Sequence, residues 1–368
     1  MLTTSEGDRR SSSAVGEGMR LLFVTDPLET LQPDHDSTVA IMEAAQRRHA
    51  EVWVAGVADL VIDGIASAVW ARPVRIAPAF RSRAGGSAAR ERWWRAGEQQ
   101  RLELGMGDVV FMRVDPPVDD AYLRATYLLD AAVRAGALVL NAPRGLREAN
   151  EKLTSLNLPD IVPSTVVTAD VRDIRDALGR WRVAVAKPLD GAGGRGIIMM
   201  RDGDPGLTAL IDLVTEQRTR QIVLQEFVPG VTEGDKRIFL LDGEPVGVVN
   251  RRAGAGDFRC NLAVGAMAES TTLDADDLEI CRRLRPELEC LGLVLVGIDV
   301  IGGRLTEVNV TSPTGIRDIE RLSDERPSER ILDWTMEKLA AGAQPIRPRQ
   351  PERVEEEDAC RPIISQTS

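Results

Sequence analysis

The chain has 368 residues, 43% hydrophobic and 28% charged, with a net charge of −11. This is enough apolar material for more than one packed unit, while the acidic balance, with no basic run interleaved with aromatics, excludes nucleic acid as a partner. Two histidines, His35 and His49, and four cysteines with no C-x-x-C pair exclude zinc-site spacing and a histidine-based triad.

Residues 1–18 are small and polar without an apolar core and are expected to form a disordered leader. Arg20 to Thr25 reads as a short buried strand stopped by Pro27. Asp36 or Ser37 caps a helix over Val39 to Arg48, and Glu51 to Ala55 is the next strand. This β-α-β opening predicts a parallel sheet with a right-handed crossover. Trp70 to Ile76 reads as further sheet or irregular chain, residues 81–92 as a loop, and Asp108 to Arg113 as a strand. A helix over Tyr122 to Ala135 and a strand over Leu138 to Asn141 complete an α/β unit assigned to 19–143.

A second unit is expected over 144–228. It comprises a helix at Asn150 to Leu156, strands at Val162 to Val167, Val183 to Lys187 and Ile222 to Phe227, and a helix at Val171 to Trp181. A third, over 229–343, opens with strands Arg237 to Leu241 and Pro245 to Asn250 turned through Asp242-Gly243. Residues 253–268 are Gly/Ala-rich and predict a loop, followed by an amphipathic helix from Leu278 to Leu291. Pro345, Pro348, Pro351 and the run Glu355-Glu356-Glu357 predict a flexible tail over 344–368. No stretch is long and apolar enough to cross a bilayer, and few, scattered cysteines suit a reducing cytoplasm.

Two patterns carry chemistry. In the first, Val294 to Ile301 and Leu305 to Val310 flank Gly302-Gly303 and predict a hairpin. Side chains alternate along a strand, so Glu307 and Asn309 share a face, and the hairpin brings Asp299 towards it. Three hard oxygen donors then converge, which suits Mg²⁺; without further context they equally suit the polar face of an amphipathic hairpin. In the second, Gly191-Ala192-Gly193-Gly194-Arg195-Gly196 matches G-x-G-x-x-G. A short apolar run, Ile197 to Met200, follows it instead of a helix, which argues for a hairpin tip over a dinucleotide loop. Such a tip lays backbone N–H groups on phosphate oxygens, with the Lys187 ammonium beside it.

Set in order, Asn150-Glu151-Lys152-Leu153, Lys187 to Gly194, Gln225-Glu226-Phe227-Val228-Pro229, Gly234-Asp235-Lys236-Arg237 and Gly297-Ile298-Asp299 through Glu307-Val308-Asn309-Val310-Thr311-Ser312-Pro313 resemble the ATP-grasp superfamily, and within it the bacterial glutathione synthetase family. The likeness spans about 19–340 and includes Asp26-Pro27, Asp36-Ser37, Arg113 with Asp115-Pro116-Pro117, and Ala125-Thr126-Tyr127.

The resemblance implies an N-terminal α/β (pre-ATP-grasp) domain followed by a two-lobed α+β ATP-grasp domain. It implies that Lys152, Lys187 and the flap glycines Gly191, Gly193 and Gly194 meet ATP phosphates. Gln225, Glu226 and Val228 would read adenine, and Asp235 the ribose. Asp299, Glu307 and Asn309 would hold two Mg²⁺ ions, with Mn²⁺ as a substitute. Arg237, Arg251, Arg259 and Asn261 would serve catalysis, and Asp36, Ser37, Arg113, Thr126, Thr311 and Ser312 would contact substrate. The implied reaction activates a carboxylate as an acyl phosphate, which an amine then attacks, in a cytoplasmic homo-oligomer with no membrane partner. Positioning and charge neutralisation dominate such chemistry.

The chain departs from the family pattern at Val114, Phe258, Met267 and Gly315. A peptide-like acid and amine other than γ-glutamylcysteine and glycine is therefore the alternative substrate pair. A nucleotide-binding regulatory module without turnover is the alternative outside enzymes.

Overall fold

The computed structural model describes residues 19–77 and 93–342. The leader, the tail and the loop expected at 81–92 lie outside the described residues. Strands β1 (Arg20–Thr25), β2 (Glu51–Ala55), β3 (Leu60–Asp63), β4 (Ala66–Ile76), β5 (Trp94–Ala96), β6 (Gln100–Leu104), β7 (Asp108–Arg113) and β8 (Leu138–Leu140) build the first sheet. Its order is β3-β4-β2-β1-β7-β8, with β5 and β6 also pairing β4. The pairs β1–β2, β1–β7 and β7–β8 are parallel, as the opening pattern predicts, and β4 adds antiparallel pairs. Helix α1 (Ser37–Arg47) starts at Asp36, whose Oδ1 accepts from Thr38 N at 2.7 Å and Val39 N at 3.3 Å. Helices α2 (Asp120–Arg134) and α3 (Pro143–Glu148) follow.

A four-stranded antiparallel sheet comes next, formed by β9 (Thr165–Thr168), β10 (Val183–Pro188), β11 (Ile198–Arg201) and β12 (Ile222–Glu226) in the order β11-β10-β12-β9. Helices α4 (Val171–Trp181) and α5 (Leu207–Val214) contribute to its core. The last sheet is also antiparallel. It holds β13 (Asp235–Leu241), β14 (Glu244–Arg252), β15 (Met267–Glu269), β16 (Leu295–Ile301) and β17 (Arg304–Asn309), ordered β15-β14-β13-β16-β17. Helices α6 (Ala275–Leu291), α7 (Ile316–Leu322) and α8 (Pro327–Ala340) complete the described chain.

Three expectations shift. Residues 150–156 form turns and a 3₁₀ segment at Thr154–Asn157, not an α-helix. Asn150 Oδ1 accepts from Lys152 N at 3.0 Å and Leu153 N at 3.2 Å, a local alternative to helical bonding. The strand expected at 162–167 begins at Thr165, after Pro163, which has no N–H to give a ladder. The loop at 253–268 ends inside β15. Helices α3, α5, α7 and α8 go beyond the elements expected.

Burial explains how the sheets join. Along β1, Leu22 and Val24 enter one apolar cluster while Leu21 and Phe23 enter another, the two-residue period of a strand covered on both faces. Along β13, Ile238 and Leu240 join the first cluster, Phe239 and Leu241 the second. The first and last sheets thus share both large cores. The four-stranded sheet has its own, built from Ile174, Leu178, Ala184, Met200, Leu224 and their neighbours.

Candidate active site

The floor of the site is the ladder of the last sheet. Its register sets Arg237 opposite Asp299, Asp299 opposite Glu307, Gly297 opposite Asn309 and Asp235 opposite Arg251. The β16–β17 turn runs through Gly302 (φ 54°) and Gly303 (φ 71°), left-handed values that glycine adopts without strain. Opposite residues share a face, so the hairpin gathers the three oxygen-bearing side chains as its pattern predicts. Asp299 accepts from Arg237 Nε at 2.6 Å and Arg237 Nη2 at 3.1 Å, and pairs with Arg251 Nη2 at 2.9 Å. Asn309 Nδ2 donates to Asp299 Oδ2 at 3.4 Å. Arg251 also pairs with Asp235.

This packing of charge sets the electrostatics. Burial would raise the Asp299 carboxyl, but Arg237 and Arg251 hold it well below the usual carboxylate range. Burial pushes the Asp235 carboxyl up to about 7, against the pull of Arg251, with the Asp299 charge adding to the rise. Among the described residues, Asp235 Oδ1 and Arg251 Nε are buried without a partner, a costly state that a polar ligand would relieve.

The cover is built from two loops. Strands β10 and β11 pair antiparallel on either side of the glycine segment, so it does form a hairpin tip. Gly194 has φ +78°, and a Cβ there would stand 2.7 Å from Asn261 Oδ1. Arg259 Nη1 donates to Gly194 O at 3.2 Å, while Asp257 carboxylate oxygens accept from Arg259 Nε and Nη2. From below, Lys152 Nζ donates to Gly191 O at 2.6 Å and pairs with Glu307 at 3.1 Å. Lys187 Nζ donates to Gln225 Oε1 at 2.8 Å and to Thr306 O at 3.4 Å. Burial lowers the Lys187 pKa, Glu307 opposes this, and Lys152 adds to it.

Between floor and cover lies a cavity of 410 Å³ lined by Lys152, Gly191, Gly193, Gly194, Arg237, Arg251, Asn261, Glu307, Asn309, Thr311 and Ser312. A smaller one of 80 Å³ is lined by Lys187, Gln225, Glu226, Val228, Asp235, Arg259, Asn261, Asp299 and Glu307. Glu307 and Asn261 border both. Oxygen donors of Asp299, Glu307 and Asn309 suit a hard divalent cation, and lysines beside a glycine tip suit phosphates. The side-chain set therefore fits a nucleotide with its metal.

The family model for the prokaryotic glutathione synthetase N-terminal domain matches residues 19–147, and that for its ATP-grasp domain matches residues 151–324. The chain belongs to the prokaryotic glutathione synthetase family. It is 46% identical to the glutathione synthetase of Synechocystis sp. over 319 residues, 86% of this chain and 98% of the relative. To that of Parasynechococcus marenigrum it is 46% identical over 321 residues, 87% of this chain and 99% of the relative. Solved structures with the same fold include the D-cycloserine synthetase DcsG, with a TM-score of 0.59 and 16% identity over 87% of this chain and 99% of that one. The ATP-grasp ligase PsnB follows with a TM-score of 0.55 and 16% identity over 88% of this chain and 99% of that one. As a glutathione synthetase family member, the chain is an ATP-grasp ligase of glutathione synthesis that uses ATP and a divalent metal.

Four substrate candidates, Asp36, Ser37, Arg113 and Thr126, are held by contacts within the protein. Asp36 Oδ1 accepts from the first backbone N–H groups of α1. Ser37 is fully buried, with its Oγ accepting from Ile316 N at 3.2 Å. Arg113, 2% exposed, donates to Thr38 Oγ1 at 3.1 Å and to Pro313 O at 3.0 Å. Its Nη1 is buried without a partner among the described residues. Thr126 is fully buried on α2, donating to Leu123 O and accepting from Arg147 Nη1. None of these four lines either cavity. The tertiary structure adds residues that sequence reading did not single out. Asn141 Nδ2 donates to Leu295 O and Val310 O, and its Oδ1 accepts from Val294 N and Leu295 N. It thereby ties the end of β8 to the segment that bears Asn309 and Thr311. A polar residue closing the apolar strand Leu138-Val139-Leu140 was the one local signal for it.

Proposed function

We propose that this ligase joins the cysteinyl carboxylate of γ-glutamylcysteine to the amine of glycine, giving glutathione with ADP and phosphate, in a cytoplasmic setting. ATP supplies the phosphoryl group that activates the carboxylate; Mg²⁺, assigned as two ions, would when bound neutralise charge on the phosphate oxygens. Glu307 and Asn309, with Asp299 beneath them, are the ligands assigned to the metal. Lys152 and Lys187 supply point charges to the phosphates, and Asp235, whose Oδ1 lacks a partner, is assigned to the ribose hydroxyls. Gln225, Glu226 and Val228 line the smaller cavity, assigned to adenine. Arg237 and Arg251 line the larger cavity and stabilise charge that grows on the reacting oxygens. Thr311 and Ser312 are assigned to the acid substrate. The glycine tip, Arg259 and Asn261 keep water from the activated carboxylate.

The observation that carries this reading is the meeting of Lys152, Glu307, Asn309, Arg237 and Arg251 around one cavity beneath the glycine tip. The test follows ADP and the peptide product by mass spectrometry with γ-glutamylcysteine, glycine, ATP and Mg²⁺. Glutathione formation that stops when either substrate is left out is expected. ADP formed only with other acid–amine pairs would reject these substrates.

A further inference from the structure

Glu151 stands apart from the other acids around the cavity. Asp299 carries Arg237 and Arg251, Asp235 carries Arg251, and Glu307 carries Lys152. Asp115, also in the wall, has Ser312 as a hydrogen-bond partner and the field of Arg113. Glu151 lines the same cavity, yet no lysine or arginine pairs with it among the described residues. Its Oε1 is saturated: it accepts from Val310 N at 3.0 Å, Thr311 N at 3.2 Å and Thr311 Oγ1 at 2.9 Å. Its Oε2 has no hydrogen bond among the described residues. Three donors on one oxygen fix the carboxylate, so the second oxygen is held in place. Burial pushes this carboxyl above its usual range, and the neighbouring Glu307 pushes it the same way, as expected for a carboxylate without a countercharge. A partly buried carboxylate without a cation is costly.

We propose that Glu151 Oε2 is the receptor for a primary ammonium group of an amino-acid substrate. The three bonds to Oε1 orient the receptor, and the ammonium supplies the charge that the protein leaves out. Thr311, bound to the same carboxylate, sits beside Ser312 in the wall, so the receptor adjoins the segment assigned to the acid substrate. The inference rests on the proposed substrate pair, in which two ammonium groups are available: that of glycine and the α-ammonium of the γ-glutamyl residue.

The test is E151Q in the full chain, with KM for each substrate measured at saturating ATP and Mg²⁺, and binding of each measured by calorimetry. The Gln amide oxygen can keep the three donors while the charge is removed. Loss of a charge-assisted hydrogen bond predicts a KM and Kd raised by roughly tenfold or more for one substrate. A rise confined to glycine assigns the nucleophile, and a rise confined to γ-glutamylcysteine assigns its α-ammonium. Unchanged values for both, or a change only in the Mg²⁺ requirement, would overturn the inference and leave the substrate pair standing. Failure of either substrate to bind the unaltered chain would overturn both. Should E151Q not fold, the unaltered chain decides: glutarylcysteine lacks the α-ammonium, and hydroxylamine is a neutral nucleophile near pH 7. If each serves as well as the substrate it replaces, Glu151 has no ammonium to hold.

Discussion

The five-stranded sheet and the four-stranded sheet hold the same cavity by different means. The five-stranded sheet shares both large apolar cores with the N-terminal sheet, and Asn141 bonds across the junction. Its charged residues are fixed by ladder register. The four-stranded sheet has a separate small core, and its glycine tip is held through few polar contacts, such as Lys152 Nζ to Gly191 O and, within the cover, Arg259 Nη1 to Gly194 O. A segment with its own core and few contacts opens at low free-energy cost. On the proposed function, floor and cover divide the labour: one stores preorganised charge, the other admits and encloses substrate.

Substitutions in the floor and in the cover should separate these roles. The largest effect is expected from E307Q, which removes a carboxylate bordering both cavities. Turnover should fall by about 10²–10³-fold or more, while the chain still folds, with a thermal midpoint lowered by loss of the Lys152 countercharge. Surviving turnover would remove Glu307 from the metal site.

D299N should act on folding as well as catalysis. It leaves Arg237 and Arg251 buried without the carboxylate they share, a loss of roughly 3–5 kcal/mol by denaturant unfolding. The Asp299 carboxyl lies below its usual range in the folded chain, so its stabilisation is present above the unfolded value and is lost as pH falls through the folded one. Stability of D299N should therefore fall less steeply under strong acid than that of the unaltered chain. Parallel acid curves would contradict this.

G194A tests the cover. Alanine is strained at φ +78°, and its Cβ would press on Asn261. A cost of roughly 1–2 kcal/mol confined to the closed flap predicts a raised KM for ATP with little change in global stability. A large drop in melting temperature would instead make the tip part of the fold's cooperative core. R259A should show the smallest effect, a roughly two- to fivefold rise in ATP hydrolysed per peptide bond formed, because its half-buried contacts to Asp257 and Gly194 O are individually modest. An unchanged ratio would argue against a shielding role.

The legible parts of the chain share one property: their partners are close in sequence. The hairpin around Gly302-Gly303 joins Asp299 to Glu307, and the antiparallel pair around the glycine tip was readable from a short apolar run. Helix α4 falls on Val171–Trp181, the span its pattern predicts. The illegible parts depend on distant partners. Glu151 meets Thr311, 160 residues away, and Asn141 meets Val310, 169 residues away. The missing helix at 150–156 is the local exception: the N–H groups of Lys152 and Leu153 turn to Asn150, two and three residues back.

By itself, the sequence determined the α/β character, the order of the elements, the two hairpins and the family to which the chain belongs, because strand alternation, turn glycines and motif order are written locally. Only the tertiary structure decided which acids have a countercharge, that Asp36, Ser37, Arg113 and Thr126 stand outside the cavity wall, and that one carboxylate oxygen of Glu151 is left open. Those outcomes depend on which charges are buried side by side, and that is fixed by packing between distant segments.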